Sequence, residues 1–91
     1  MNSDKFLIRM MTWEKDKNYP TMVKGFYSKN ITELLNLYYT AKEKEIEIQI
    51  PIEYEDYSSK FDGETAYVES IEIIFGGHTS MTCLDVYVKI V

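Results

Sequence analysis

Glu45-Ile46-Glu47-Ile48-Gln49-Ile50-Pro51-Ile52-Glu53-Tyr54-Glu55 alternates without a break: every even position from 46 to 54 is apolar, and every odd position is acidic, amide or proline. Successive side chains leave a pleated backbone on opposite sides, so this pattern predicts a strand with one buried and one wet face. The wet face is strongly acidic. Pro51 has no N–H for a ladder, which places the strand at a sheet edge or gives it a bulge.

Downstream lies Lys60-Phe61-Asp62-Gly63-Glu64-Thr65. Asp-Gly favours a two-residue hairpin turn because that backbone needs positive φ. A turn at Asp62-Gly63 sets Tyr54 opposite Ile71, Ile52 opposite Ile73 and Ile50 opposite Phe75, three apolar pairs on one face. After Gly76-Gly77-His78-Thr79-Ser80 comes a last strand over 81–91, where Leu84, Val86, Val88 and Ile90 alternate with Cys83, Asp85, Tyr87 and Lys89. Matching apolar faces pairs Ile73 with Leu84 and Ile71 with Val86. A one-residue slip would put these side chains on opposite faces. The second half therefore reads as a three-stranded meander.

Upstream, Asn30-Ile31-Thr32-Glu33 has the form of a capping box, with Ser28 as the competing cap. Ile31, Leu34, Leu35, Tyr38 and Ala41 recur at helical spacing and form one apolar stripe. Lys42 and Lys44 complement the negative end of that helix. Lys5 to Trp13 reads as a first strand with apolar groups on both faces. Thr21 to Tyr27 reads as a short second strand weakened by Gly25. The expected fold is α+β: a four- or five-stranded, mainly antiparallel sheet with one helix packed on one face, in the order ββαβββ or βαβββ. Its expected core is Phe6, Ile8, Leu34, Leu35, Tyr38, Ile48, Ile50, Ile52, Ile71, Ile73, Phe75, Leu84, Val86 and Val88.

Ninety-one residues make a single domain, 1–91. A hydrophobic content of 45% with 27% charged residues is that of a globular chain. One cysteine, Cys83, excludes an internal disulfide and a cysteine-based zinc site, and suits a reducing compartment. The N-terminal residues lack the apolar run and cleavage site of a signal peptide, and no apolar segment is long enough to span a bilayer. A cytoplasmic location is expected.

Charge is unevenly spread. Residues 1–44 carry eight Lys/Arg and five Asp/Glu, whereas residues 45–91 carry two lysines and ten acids, within a net charge of −5. A nucleic-acid binder needs cations along the phosphate path, so no nucleic-acid partner is expected. An acidic face offered to a basic partner fits this distribution better.

The two strand registers predict a row across the outer face, Glu53, Glu72 and Asp85, followed by Glu55, Ser70 and Tyr87. Opposed side chains on neighbouring strands have Cβ atoms ~4.5–5.5 Å apart, so an uncompensated row of carboxylates repels itself and raises its own pKa values. Arg9 or Lys89 could neutralise it. The row reads in four ways: a solvated surface, a docking face for Lys/Arg, a hard-cation site or a paired acid and base. His78 reads as a loop residue without a positioned partner. Gly76-Gly77 lacks phosphate-loop spacing and reads as turn geometry. Cys83 reads as packing.

Eight tyrosines and Trp13 are many for this length. Aromatic side chains with one apolar and one polar end favour protein interfaces, and the signature of RNA-binding sheets is absent. The candidate interaction face is therefore Glu53, Glu55, Glu72, Asp85, Tyr87 and Trp13, with no catalytic residue, cofactor or metal assigned. The expected function is a non-enzymatic protein-binding module whose partner is another protein or a second copy. In composition it resembles the small acidic accessory or inhibitor proteins that phages and mobile elements encode. The alternative is a small enzyme or divalent-cation or ligand-binding domain using Glu53, Glu72 and Asp85.

Overall fold

A computed structural model describes residues 6–52, 60–78 and 81–91. Its element order is ββαβββ: β1 (Phe6–Trp13), β2 (Pro20–Ser28), α1 (Ile31–Lys44), β3 (Ile48–Gln49), β4 (Thr65–His78) and β5 (Met81–Ile90). The five strands form one mixed sheet in the order β2-β1-β5-β4-β3. β1 runs antiparallel to β2, and β4 runs antiparallel to both β3 and β5. β1 and β5 pair in parallel, so the first and last strands lie side by side at the centre.

The β4–β5 register is the one that the apolar pattern dictates. Ile71 faces Val86, Glu72 faces Asp85 and Ile73 faces Leu84. A bulge between Val68 and Ser70 then shifts the pairing by one residue, so that Val68 meets Val88. β2 is somewhat longer than the pattern over 21–27 suggests, and Gly25 sits within it without ending it.

The alternating stretch departs most from expectation. Among the described residues its ladder covers only Ile48 and Gln49, opposite Ala66 and Thr65, and the Ile50–Phe75 pairing does not occur. Ile50 instead donates its N–H to the Glu64 carbonyl (2.8 Å) and accepts from the Gly63 N–H (2.9 Å). The Tyr54–Ile71 pairing falls outside the described residues. Asp62-Gly63 does form the centre of a turn, closed by the Glu64 N–H on the Phe61 carbonyl at 2.9 Å. Gly63 has φ 81°, but among the described residues Glu45 is the only non-glycine with positive φ, so Asp62 lacks it. A type I′ turn needs positive φ at both central residues, and turns without that geometry splay their strands. Pro51 then ends the ladder. β3 occupies the edge position that its proline implies.

These differences revise the core. Ile50 is fully buried, but Ile52 is 63% exposed and Phe75 82% exposed, and Ile73 is also exposed. Ile8, Met10, Val23, Phe26, Tyr38, Ala41, Ala66, Val68, Leu84, Val86 and Val88 join Ile50 in one cluster. α1 inserts its Tyr38 and Ala41 into that cluster, with Ile31, Leu34 and Leu35 at its margin. Asn30 takes the N-cap position without making a side-chain cap bond; its own N–H donates to Ser28 Oγ at 3.0 Å. The helix ends at Glu45 in the left-handed region, whose N–H reaches the carbonyls of Ala41 and Lys42. No helix among the described residues is long and apolar enough to cross a membrane.

Candidate functional site

Alternation along β1 sends Leu7, Arg9, Met11 and Trp13 to the face away from α1. In the parallel register Arg9 sits beside Asp85 and Met11 beside Tyr87. On the other side of β5, Glu72 sits beside Asp85 and Ser70 beside Tyr87. The face thus carries a three-strand row, Arg9–Asp85–Glu72, and a second row, Met11–Tyr87–Ser70.

Arg9 is decisive for the chemistry of the first row. Its Nε donates to Asp85 Oδ1 at 2.7 Å and its Nη2 to Oδ2 at 2.8 Å, a two-pronged fork. Charge-assisted pairs with this geometry are among the strongest hydrogen bonds in proteins. The Asp85 side chain is 3% exposed and that of Arg9 28%. The bonds to Asp85 hold the guanidinium pKa above its ordinary value. Asp85 in the predicted row is therefore compensated by Arg9, one of the two cations expected to neutralise it, and the charges across β1, β5 and β4 run positive, negative, negative. Glu72 is exposed and forms no ion pair among the described residues. Glu53 and Glu55 lie outside the described residues.

Beside that row, Trp13 stacks on Tyr87 with ring centroids 6.5 Å apart and planes 12° from parallel. Trp13 remains 56% exposed. Burial raises the Tyr87 phenol pKa, and the negative charges of Asp85 and Glu72 raise it further, against a smaller opposing effect of Arg9. A folded-state pKa above the unfolded one means that folding favours the bound proton. Stability from this group is complete below about pH 10 and falls as pH rises through the folded value. In alkaline unfolding, Tyr87→Phe is expected to flatten that fall. An unchanged slope would show that Tyr87 does not couple to the row.

Cys83 is fully buried on this face, in keeping with packing. His78 lies at the end of β4, paired with Met81, beyond a bulge in which Gly76 has φ 66°. Among the described residues no group of three His, Cys, Asp or Glu side chains is placed to hold a metal ion.

Two polar clusters escaped the pattern reading. Lys24 is fully buried and pairs with Asp62 at 3.2 Å. Glu14 binds Lys17 at 3.1 Å and Lys60 at 3.5 Å, and accepts a bond from Thr21 Oγ1 at 3.1 Å. Lys17, then Thr21, hold the Glu14 carboxyl below its ordinary pKa. The signal for Lys24 was its place between Val23 and Phe26 in a strand, two residues from an apolar side chain on the same face. The chain matches no protein-family profile, no curated protein and no solved structure.

Proposed function

We propose that this protein is a non-enzymatic binding module that engages another protein through the outer face of β1, β5 and β4. The observation that carries this reading is the Trp13–Tyr87 pair, stacked and left accessible beside the Arg9–Asp85 fork and the exposed Glu72. Tryptophan, tyrosine and arginine dominate the energetic centres of protein interfaces. Here the aromatic platform rests on a central strand pinned by a charge-assisted fork, so little ordering cost remains to be met on binding. Glu72, with no cation of its own among the described residues, favours a partner that presents Lys or Arg. Size, acidity and the single cysteine suit a cytoplasmic accessory or inhibitory factor, of the kind phages and mobile elements encode, that acts by occupying its target. Self-association through the same face is the homo-oligomeric form of this reading.

The cation-binding and enzymatic alternative receives less support. Both Asp85 oxygens already accept bonds from Arg9, and a hard cation would have to displace a guanidinium to use them. Affinity capture with the wild type, Trp13→Ala and Glu72→Lys, with light scattering for self-association, tests the proposal. Loss of a captured protein, or of a dimer, in both variants is the expected result. Partner recovery unchanged by either substitution would refute it. A melting temperature raised by millimolar magnesium, calcium or manganese would favour the alternative instead.

A further inference from the structure

β4 pairs with β5 along one side from Ala66 to His78, whereas on its other side β3 reaches only Thr65 and Ala66 among the described residues. Tyr67 comes next, its hydroxyl donating to Glu47 Oε1 at 3.0 Å. The end of α1 then flanks Tyr67, Val68 and Glu69 across a cleft lined by Lys42 and Glu45. Past that point the strand meets water. Ser70, Glu72, Ile73, Phe75 and Gly76 are exposed and Ile71 and Ile74 half-buried, with exposure reaching 82% at Phe75.

A sheet edge in water is a template for another strand, and proteins blunt such edges with proline, lysine or a bulge. Ser70-Ile71-Glu72-Ile73-Ile74-Phe75 contains neither proline nor lysine. The two bulges of β4 fall outside Ser70–Ile74, between Val68 and Ser70 and between Ile74 and His78. The one charge on this segment is Glu72, on the outer face beside Asp85, whereas Ile71 and Ile73 follow Val86 and Leu84 on the other face and alternation carries Phe75 on from them.

This pattern states what an added strand must look like. Its side chains would stand ~4.5–5.5 Å from those they oppose. Glu72 then favours a cation and repels an anion, while Ile71, Ile73 and Phe75 favour apolar groups. A second copy pairing through the same edge would bring a second Glu72 onto the same face of the joined sheet, so charge counts against it. We propose that the Ser70–Phe75 edge of β4 takes up an extended segment of another protein in which apolar side chains alternate with Lys or Arg. Backbone hydrogen bonds to the edge hold such a segment, and its alternate side chains give the specificity. The proposal rests on the reading of this protein as a binding module and gives it a contact surface two strands away from Trp13.

The probes are a short capped peptide of alternating valine and lysine and its counterpart with glutamate for lysine, read by amide hydrogen exchange on the intact chain. With free lysine peptide at about ten times its Kd, the amides of Ser70–Phe75 that point away from β5 are expected to exchange about tenfold more slowly, those of β1 and β2 being unchanged. The glutamate peptide should give no slowing. Glu72→Lys should reverse the ranking of the two peptides, and Phe75→Ser, at a position that faces water, should weaken the lysine peptide in a folded chain. Equal slowing by both peptides, no slowing in β4, or a ranking unchanged by Glu72→Lys would each overturn the proposal. Trp13→Ala separates it from the outer-face reading. Slowing in β4 that survives Trp13→Ala supports the edge, and if partner capture is then lost only in Glu72→Lys, the edge stands without the aromatic face. Peptide binding abolished by Trp13→Ala refutes the edge and leaves the outer-face reading in place.

Discussion

Replacing Ile50 by alanine is expected to cost about 2–5 kcal/mol of stability, and replacing Ile52 by alanine about 0.5 kcal/mol. The two residues share a side-chain type and stand two apart in an alternating run, so sequence alone treats them as equals. Burial separates them: Ile50 is 0% exposed and Ile52 63%. Ile50 also exchanges hydrogen bonds with Gly63 and Glu64, which fixes its backbone against the turn. Truncating it leaves a cavity that this clamped backbone resists closing, so the upper part of the range applies. A domain of this size has a total stability of about 5–14 kcal/mol, so the substitution removes a large share of it. Urea midpoints measure the contrast. Equal midpoints would mean that Ile50 does not occupy the core.

The same pair of residues marks where reading the sequence stops working. Alternation reports which side chains share a face, and it placed Ile50 inward correctly. It carries no information on how far a ladder extends, which Pro51 and the sign of φ at Asp62 decide. The β4–β5 pairing was legible because both strands alternate and are neighbours in the chain, so their register follows from matching two patterns across a short connection. The helical stripe was legible for the same local reason. Phe75 was misplaced because β4 runs on through Gly76 to His78, past the part of the sheet that other elements cover.

The site was half legible. Glu72 beside Asp85 follows from the β4–β5 register. The fork from Arg9 does not, because it depends on a parallel contact between β1 and β5, made between the two ends of the chain. No local signal encodes that contact. Arg9 was nevertheless the one cation among the outward residues of β1, and a buried acid on a central strand calls for such a group. Lys24 was hidden for a similar reason: its partner Asp62 lies 38 residues away in the chain.

Asymmetry within the Arg9–Asp85 fork gives the second large effect. Arg9→Met, which keeps much of the aliphatic stem, is expected to cost about 3–5 kcal/mol, because it abandons a buried carboxylate. Asp85→Asn should cost less, about 1–3 kcal/mol. The Arg9 side chain is 28% exposed and can turn its guanidinium to water, whereas that of Asp85, at 3%, has nowhere to go. The pH response of Arg9→Met provides an independent check. A buried carboxylate without a counter-charge favours its protonated form, so the folded variant binds more protons than the unfolded chain. Stability of that variant should therefore rise on moving from about pH 7 to about pH 5. Converting both partners to apolar groups, Arg9→Met with Asp85→Leu, should be less damaging than Arg9→Met alone, because nothing charged is then left buried. The binding proposal gives the same variants a second use. Tyr87 and Trp13 lean on the strand that the fork holds in place, so the double apolar variant should keep its fold while weakening partner capture. If capture survives in that variant and fails only in Trp13→Ala and Glu72→Lys, the fork supports the fold alone, and recognition belongs to the aromatic pair and the exposed Glu72 carboxylate.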